Sequence, residues 1–216
     1  MNIIEIKNII KSKYKILKDT NRETVILING HTLRFIKDAH KYIVDGYETI
    51  SVTQLIKRTN PDLYKDVPKE YLDIAARRGK ALHDSIEYYE TSGVEGFSNE
   101  FRHYLELKKK LELTSIANEL FILICNNKNE PICAGRLDML YLNKDKKLGI
   151  VDFKRTVELY IDNVTLQLNL YRYGFIQTYG VNIDELLVMR LRDDLKESTL
   201  IKVDNTLAET AMIAYI

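Results

Sequence analysis

The chain has 216 residues, 45% of them hydrophobic, and 32 Lys and Arg against 31 Asp and Glu give a net charge of +1. That length and apolar content support one well-cored domain with an extension, or at most two small ones, and the near-zero charge excludes a globally basic nucleic-acid binder, so a nucleic-acid partner would be held by local patches. Two cysteines, Cys125 and Cys133, are too few for a disulfide framework or a four-thiolate iron–sulfur cluster.

The N-terminal stretch MNIIEIKNIIKSKYKILKDTNRE lacks the unbroken apolar core of a signal peptide, with Glu5 interrupting it early. It predicts an amphipathic helix with Ile3, Ile6, Ile9, Ile10 and Tyr14 inward. No run is long enough to span a bilayer, so the expectation is a cytoplasmic protein without a membrane partner. Cys125 and Cys133 then read as free buried thiols in a reducing compartment, although they could face each other across a hairpin. The four histidines show no zinc spacing.

Residues 24–50 alternate β-branched and aromatic residues around Asn29-Gly30 and Asp45-Gly46, the pairs that close tight hairpins, and predict a β-meander. Ser51 and Gln54 make a capping box for a short helix that Asn60-Pro61 ends. Pro68 suits the first turn of a long helix to about Ser92, with an inward stripe of Leu72, Ala75, Ala76, Gly79, Leu82, Ile86 and Tyr89. SNEFRHYLELKKKLEL predicts another helix, followed by strands NELFILIC, ICAGRLDMLYL and LGIVDFKRT. A helix from about Asn163 to Tyr179 is capped by Gly180, and LLVMRL and STLIKV finish as strands. The order describes an α/β fold with a mixed sheet, an extension over residues 1–60 and a core over 61–216 in one compact unit.

Chemistry concentrates in GRLDMLYLNKDKKLGIVDFKRT, residues 135–156. Pairing Leu142 with Leu148 and Leu140 with Ile150 sets Asp138 opposite Asp152, with Lys154 on the same face. Facing carboxylates repel, and a hard cation such as Mg²⁺ relieves that. Two carboxylates, a metal and a lysine suit phosphodiester hydrolysis. The competing reading is an edge hairpin whose aspartates each pair with a lysine in solvent.

The long helix spaces Gly79, His83 and Glu87 four apart on one face. A mid-helix glycine costs about 1 kcal/mol relative to alanine and is easier to explain if another backbone or a phosphate approaches closely. His83 alone would usually be a satisfied core residue. Arg77, Arg78 and Lys80 make a cationic cluster that alone is an ordinary solvated face. In the later helix Gln167 and Tyr171 lie four apart beside Arg172, either as the polar edge of a core helix or as a surface for the substrate backbone.

The ordered set RGKALH…E, NELFILI, GRLD, VDFK and QLNLY resembles the PD-(D/E)XK nuclease superfamily, in its RecB-like and phage-type exonuclease branch. HKYIVDGYETISVTQLI, residues 40–56, is similar to the N-terminal meander of phage members and of mitochondrial genome-maintenance exonucleases, and the resemblance covers roughly residues 31–191. It implies a restriction-endonuclease-like core and a Mg²⁺- or Mn²⁺-dependent deoxyribonuclease, an exonuclease, in which a metal-activated water leaves a 5′-phosphate. Asp138 and Asp152 would be the metal carboxylates and Lys154 the catalytic lysine. His83, the Phe153 backbone carbonyl and Glu119, at the opening of the first core strand, would add metal ligands. Glu87 would support His83, and Gln167 and Tyr171 would position the lysine and the DNA. Arg77, Arg78, Lys80, Arg155 and Arg172 are candidates for phosphate contact, which positions a strand without reading sequence.

Some relatives carry a four-cysteine iron–sulfur cluster, which this chain cannot. No G-x-x-x-x-G-K-[ST] motif is present, so the expectation is a stand-alone nuclease or the partner of a helicase or recombination protein on another chain. The alternatives are an endonuclease on the same fold, a non-catalytic DNA-binding module, or an adaptor whose hairpin charges sit in solvent. The Ile-, Lys- and Asn-rich composition fits an AT-rich phage or bacterial genome, and a phage origin would suggest recombination, DNA processing or counter-defence.

Overall fold

Asn29-Gly30 and Asp45-Gly46 all take positive φ (47°, 89°, 50° and 91°), the geometry of two-residue hairpin turns whose twist matches that of paired strands. They close the meander as the sequence predicts. In the computed structural model, which describes residues 1–63 and 65–214, the N-terminal part is α1 (Ile3–Lys13), β1 (Tyr14–Asp19), β2 (Glu23–Ile28), β3 (His31–Ile36), β4 (Lys41–Val44), β5 (Tyr47–Ser51) and α2 (Val52–Thr59). There follow α3 (Lys69–Ser92), α4 (Asn99–Lys110), β6 (Thr114–Cys125), β7 (Pro131–Leu142), β8 (Leu148–Lys154), α5 (Ile161–Tyr179), β9 (Glu185–Leu191), β10 (Lys196–Ile201) and α6 (Leu207–Ile213). Tyr64, Tyr215 and Ile216, within the core expected over 61–216, lie outside the described residues.

The protein is α/β, with a mixed, open sheet flanked by helices. The strand order is β1-β2-β3-β4-β5-β7-β8-β9-β10, with β6 on the other edge of β7. The β5–β7 and β8–β9 pairs are parallel and the rest antiparallel. The meander is therefore continuous with the core sheet. One face packs α1, α2, α5 and α6 over Ile122, Leu140, Ile150 and Val188. The other packs α3 and α4 over Met139, Tyr141, Val151 and Phe153. A third cluster seats the meander residues Ile26, Leu33, Phe35 and Tyr42 on Phe121 and Leu123 of β6.

Local signals hold where the chain itself supplies the partner. Ser51 Oγ accepts the Gln54 N–H at 3.0 Å and Gln54 Oε1 accepts the Ser51 N–H at 2.8 Å. Gly93 and Gly180 end α3 and α5 in the left-handed conformation. Ile6 and Ile10 are buried, and Ile3, Ile9 and Tyr14 pack against the core. Cys125 and Cys133 are free thiols, and the register pairs Ile124, not Cys125, with Cys133.

Three expectations need correction. The N-terminal helix stops at Lys13, and Tyr14–Asp19 is a strand paired to β2. All of β1 but Tyr14 is exposed, so cross-strand hydrogen bonds hold it where no burial pattern could announce it. The inward stripe of α3 is covered only in its second half: Leu82 and Ile86 are buried, but Ala75 and Ala76 are exposed. Helix α6 was not expected.

Candidate functional site

A fork in the sheet creates the site. Leu142 pairs with Leu148 and Leu140 with Ile150, the predicted register, but the β7–β8 ladder ends at Met139 and Val151. Beyond it β8 keeps only β9, where Asp152 faces Val188 and Lys154 faces Arg190. Along the same edge β7 next pairs with β5 at Cys133 and Ala134, so residues 135–138 lie in a gap. Leu137 and Leu140 both belong to the α5-side core, so strict alternation breaks at Asp138. Across the gap, Asp138 Oδ2 accepts the backbone N–H of Phe153 at 2.7 Å. The carboxylate thus takes over a backbone bond that the ladder no longer supplies.

Opposite Asp138, strand β6 carries Glu119 in the left-handed conformation at φ 51°. A non-glycine residue held there costs about 1–3 kcal/mol. β6 begins at Thr114, so Glu119 sits mid-strand rather than opening it, as the sequence reading had it. From α3, anchored by Leu82 and Ile86, His83 enters with Nδ1 3.4 Å from Asp138 and 3.8 Å from Glu119. Its Nε2 lies 3.1 Å from the Phe153 carbonyl. One ligand atom from each of His83, Glu119 and Asp138 lies within 4.8 Å of the others.

On the α5 side, Lys154 Nζ donates to Asp152 Oδ1 at 3.1 Å and to Gln167 Oε1 at 2.9 Å, and Gln167 Nε2 donates to the Tyr171 hydroxyl at 3.2 Å. Asp152 is only 2% exposed. Its Oδ2 lies 2.8 Å from the Lys154 ammonium yet is buried with no hydrogen bond of its own. Gly135 makes room for this arrangement: a Cβ there would sit 2.9 Å from the Tyr171 ring.

Electrostatics follow the packing. Burial pushes the Asp152 carboxyl up to about 6, with the Asp138 charge adding to it and Lys154 opposing it. Burial also works against a charged Asp138, but His83, Lys154 and the Phe153 N–H together hold its carboxyl below the usual value. Burial disfavours the His83 cation too, yet Asp138 and Glu119 outweigh it and raise His83 well above its ordinary value. A cationic His83 offsets one of the two charges of Asp138 and Glu119.

The structure brings together His83, Glu119, Asp138, Asp152, Lys154, Gln167 and Tyr171, with the Phe153 carbonyl turned to His83. It does not bring Glu87 to His83: both imidazole nitrogens face other partners, and among the described residues no hydrogen bond joins the two side chains. Burial and the Glu119 charge raise the Glu87 carboxyl. Arg172 is also elsewhere, since consecutive helix residues point about 100° apart. Its guanidinium donates to the Ile183 carbonyl, Asn205 and Asn182. Arg78 and Arg155 are tied to Glu100 and Asp193, Lys80 pairs with Asp84, and Arg77 is exposed.

Arg136 was missed. Its Nε lies 2.6 Å from Glu119 Oε2, and its guanidinium stacks over Phe35 and Phe121 at 5.0 and 5.8 Å. It orients Glu119 and links the site to the meander. The signal was available, because a cation two residues before Asp138 on a strand falls on the same face.

No family model and no curated protein matches this chain. Among solved structures, one described as "Crystal structure of SSO0001" is similar at 19% identity and a TM-score of 0.43, covering 77% of this chain and 76% of that one. No helix among the described residues is long and apolar enough to cross a membrane.

Proposed function

We propose that the protein is a metal-dependent deoxyribonuclease with a restriction-endonuclease-like core, acting as an exonuclease. The observation that carries this reading is a fork that gathers His83, Glu119 and Asp138 within ligand distance of one another, beside the buried Asp152 paired to Lys154. A buried carboxylate is costly unless paired; the Lys154 ammonium lies 2.8 Å from this one, and a cation at the fork would add a second counter-charge. The donor set, one imidazole and carboxylates, suits Mn²⁺ or Mg²⁺. His83, Glu119, Asp138 and Asp152 would hold the ion, which would supply a Lewis acid that acidifies water and screens phosphate charge.

The chain's own groups do the rest. Asp152 and Gln167 fix the Lys154 ammonium, and Tyr171 orients Gln167, so a positive charge is preorganised for the phosphate. Arg136 keeps one Glu119 oxygen occupied and leaves the other toward His83. At Gly79 a Cβ would meet nothing within 4 Å, so no protein backbone accounts for that glycine, and the exposed turn leaves a path for a nucleic-acid strand. Exonuclease action comes from the sequence resemblance.

The test is incubation with end-labelled linear DNA and closed circular DNA in Mn²⁺, Mg²⁺ or EDTA, beside Asp152→Ala. Metal-dependent loss of linear DNA alone, absent in the variant, is the expected result. Cleavage of the circle would move the assignment to an endonuclease. Absence of cleavage with every metal would reject the enzymatic reading.

A further inference from the structure

Each carboxylate at the fork already has an oxygen engaged by the protein. Asp138 Oδ2 accepts the Phe153 N–H at 2.7 Å, which leaves Oδ1 3.4 Å from His83 Nδ1. Glu119 Oε2 lies 2.6 Å from Arg136 Nε, which leaves Oε1 3.8 Å from the same histidine nitrogen. Asp152 Oδ1 and Oδ2 lie 3.1 and 2.8 Å from Lys154 Nζ. Of these engaging groups, Arg136 belongs neither to the backbone nor to the proposed reaction. Its guanidinium is held between the meander and β6, over the Phe35 and Phe121 rings at 5.0 and 5.8 Å, and its side chain is only 30% exposed.

We propose that Arg136 determines which cation the fork accepts: by occupying Glu119 Oε2 it keeps that carboxylate from chelating with both oxygens, and so selects Mg²⁺ or Mn²⁺ against Ca²⁺. The inference rests on the metal site of the nuclease reading and adds how that site chooses among divalent ions. Ca²⁺ takes six to eight oxygens at about 2.3–2.6 Å and accepts bidentate carboxylates, whereas Mg²⁺ takes six ligands at about 2.0–2.1 Å and keeps several waters. Carboxylates that each offer one oxygen supply too few for the larger ion. Freeing Oε2 for Ca²⁺ would strip a mostly buried guanidinium of its carboxylate, which is costly. The charge of Arg136 repels every divalent cation alike, so charge alone moves all affinities together. Only the hold on Oε2 changes their ratio. Because Phe35 lies on β3, the meander takes part in that choice.

The experiment is calorimetric titration of Mn²⁺ and of Ca²⁺ into wild type, Arg136→Met and Arg136→Lys at one pH, with Asp138→Asn titrated to subtract binding elsewhere on the chain. Wild type should bind Mn²⁺ more tightly than Ca²⁺. In Arg136→Met, Ca²⁺ should gain on Mn²⁺ by about tenfold or more. Arg136→Lys keeps the charge and the long stem but lacks the planar fork, so it should shift the ratio the same way by less, and it carries the test if the methionine variant fails to fold. An unchanged ratio in the variants that fold, even with both ions bound more tightly, would overturn the proposal and leave the metal site standing. Ca²⁺ bound as tightly as Mn²⁺ by wild type would overturn it as well. Binding of neither ion to wild type would reject the metal site and this inference with it.

Discussion

Asp138 accepts the backbone N–H of Phe153 at 2.7 Å, across the gap where β7 and β8 part. The sequence alone suggested that Asp138 and Asp152 merely repel, so that removing Asp138 would leave the fold intact. The observed bond changes that expectation. Asp138→Ala strands a buried donor, at a cost of about 1–3 kcal/mol, and takes the nearest counter-charge from His83. Asp138→Ala should therefore abolish cleavage and lower the melting temperature. Asp138→Asn keeps an acceptor for Phe153, so it should be inactive but closer to wild type in stability. Thermal unfolding of both, beside cleavage of linear DNA, checks this.

Lys154 restrains the Asp152 carboxyl, which burial already lifts to about 6. A carboxyl raised in the folded state holds a proton that the unfolded chain gives up, so stability falls as pH rises from 3.8 to about 6. In Lys154→Met that carboxyl rises further and the loss extends to higher pH. Melting temperatures of wild type and Lys154→Met should diverge as pH increases, and a constant difference would contradict this pairing.

His83 is raised by its carboxylates, so its stabilisation is complete below the ordinary histidine value and lost as pH rises through the raised one. A cation bound at Nδ1 must displace that proton. Mn²⁺ affinity should therefore increase with pH, with proton release visible by calorimetry in buffers of different ionisation enthalpy. His83→Ala should weaken Mn²⁺ binding more than folding and abolish the proton release.

Gly135 lies against Tyr171, Val52 and Ile122, with a Cβ meeting them at 2.9, 3.0 and 3.3 Å. Overpacking of this kind costs about 1–3 kcal/mol, and pushing the Tyr171 ring would disturb the Gln167–Lys154 chain. Gly135→Ala should lower both melting temperature and turnover, and full turnover would show that Lys154 does not depend on Tyr171.

Much of this arrangement was legible because the signals are local. Turn pairs, the capping box and the alternation of Ile150, Asp152 and Lys154 depend on neighbours along the chain, and the hairpin register followed from loop length. What stayed hidden depends on distant partners. β1 is held by β2 with hardly any burial, and the fork exists because β8 parts from β7 after Val151 while it stays paired with β9. Glu119 reaches the cluster through a backbone conformation that its side-chain type does not favour. Arg172 was placed by adjacency to Tyr171, but helix rotation directs it elsewhere, and Glu87 shares the His83 face while His83 takes its partners from β6, β7 and β8.

The proposed function depends on a cation held among His83, Glu119, Asp138 and Asp152. The most direct measurement is an anomalous difference map from crystals soaked in Mn²⁺, recorded for wild type and Asp138→Asn. A single strong peak within coordination distance of His83 Nδ1 and Asp138 in wild type, lost in the variant, is the predicted result. A fork without a peak, or the ion bound at another cluster, would contradict it.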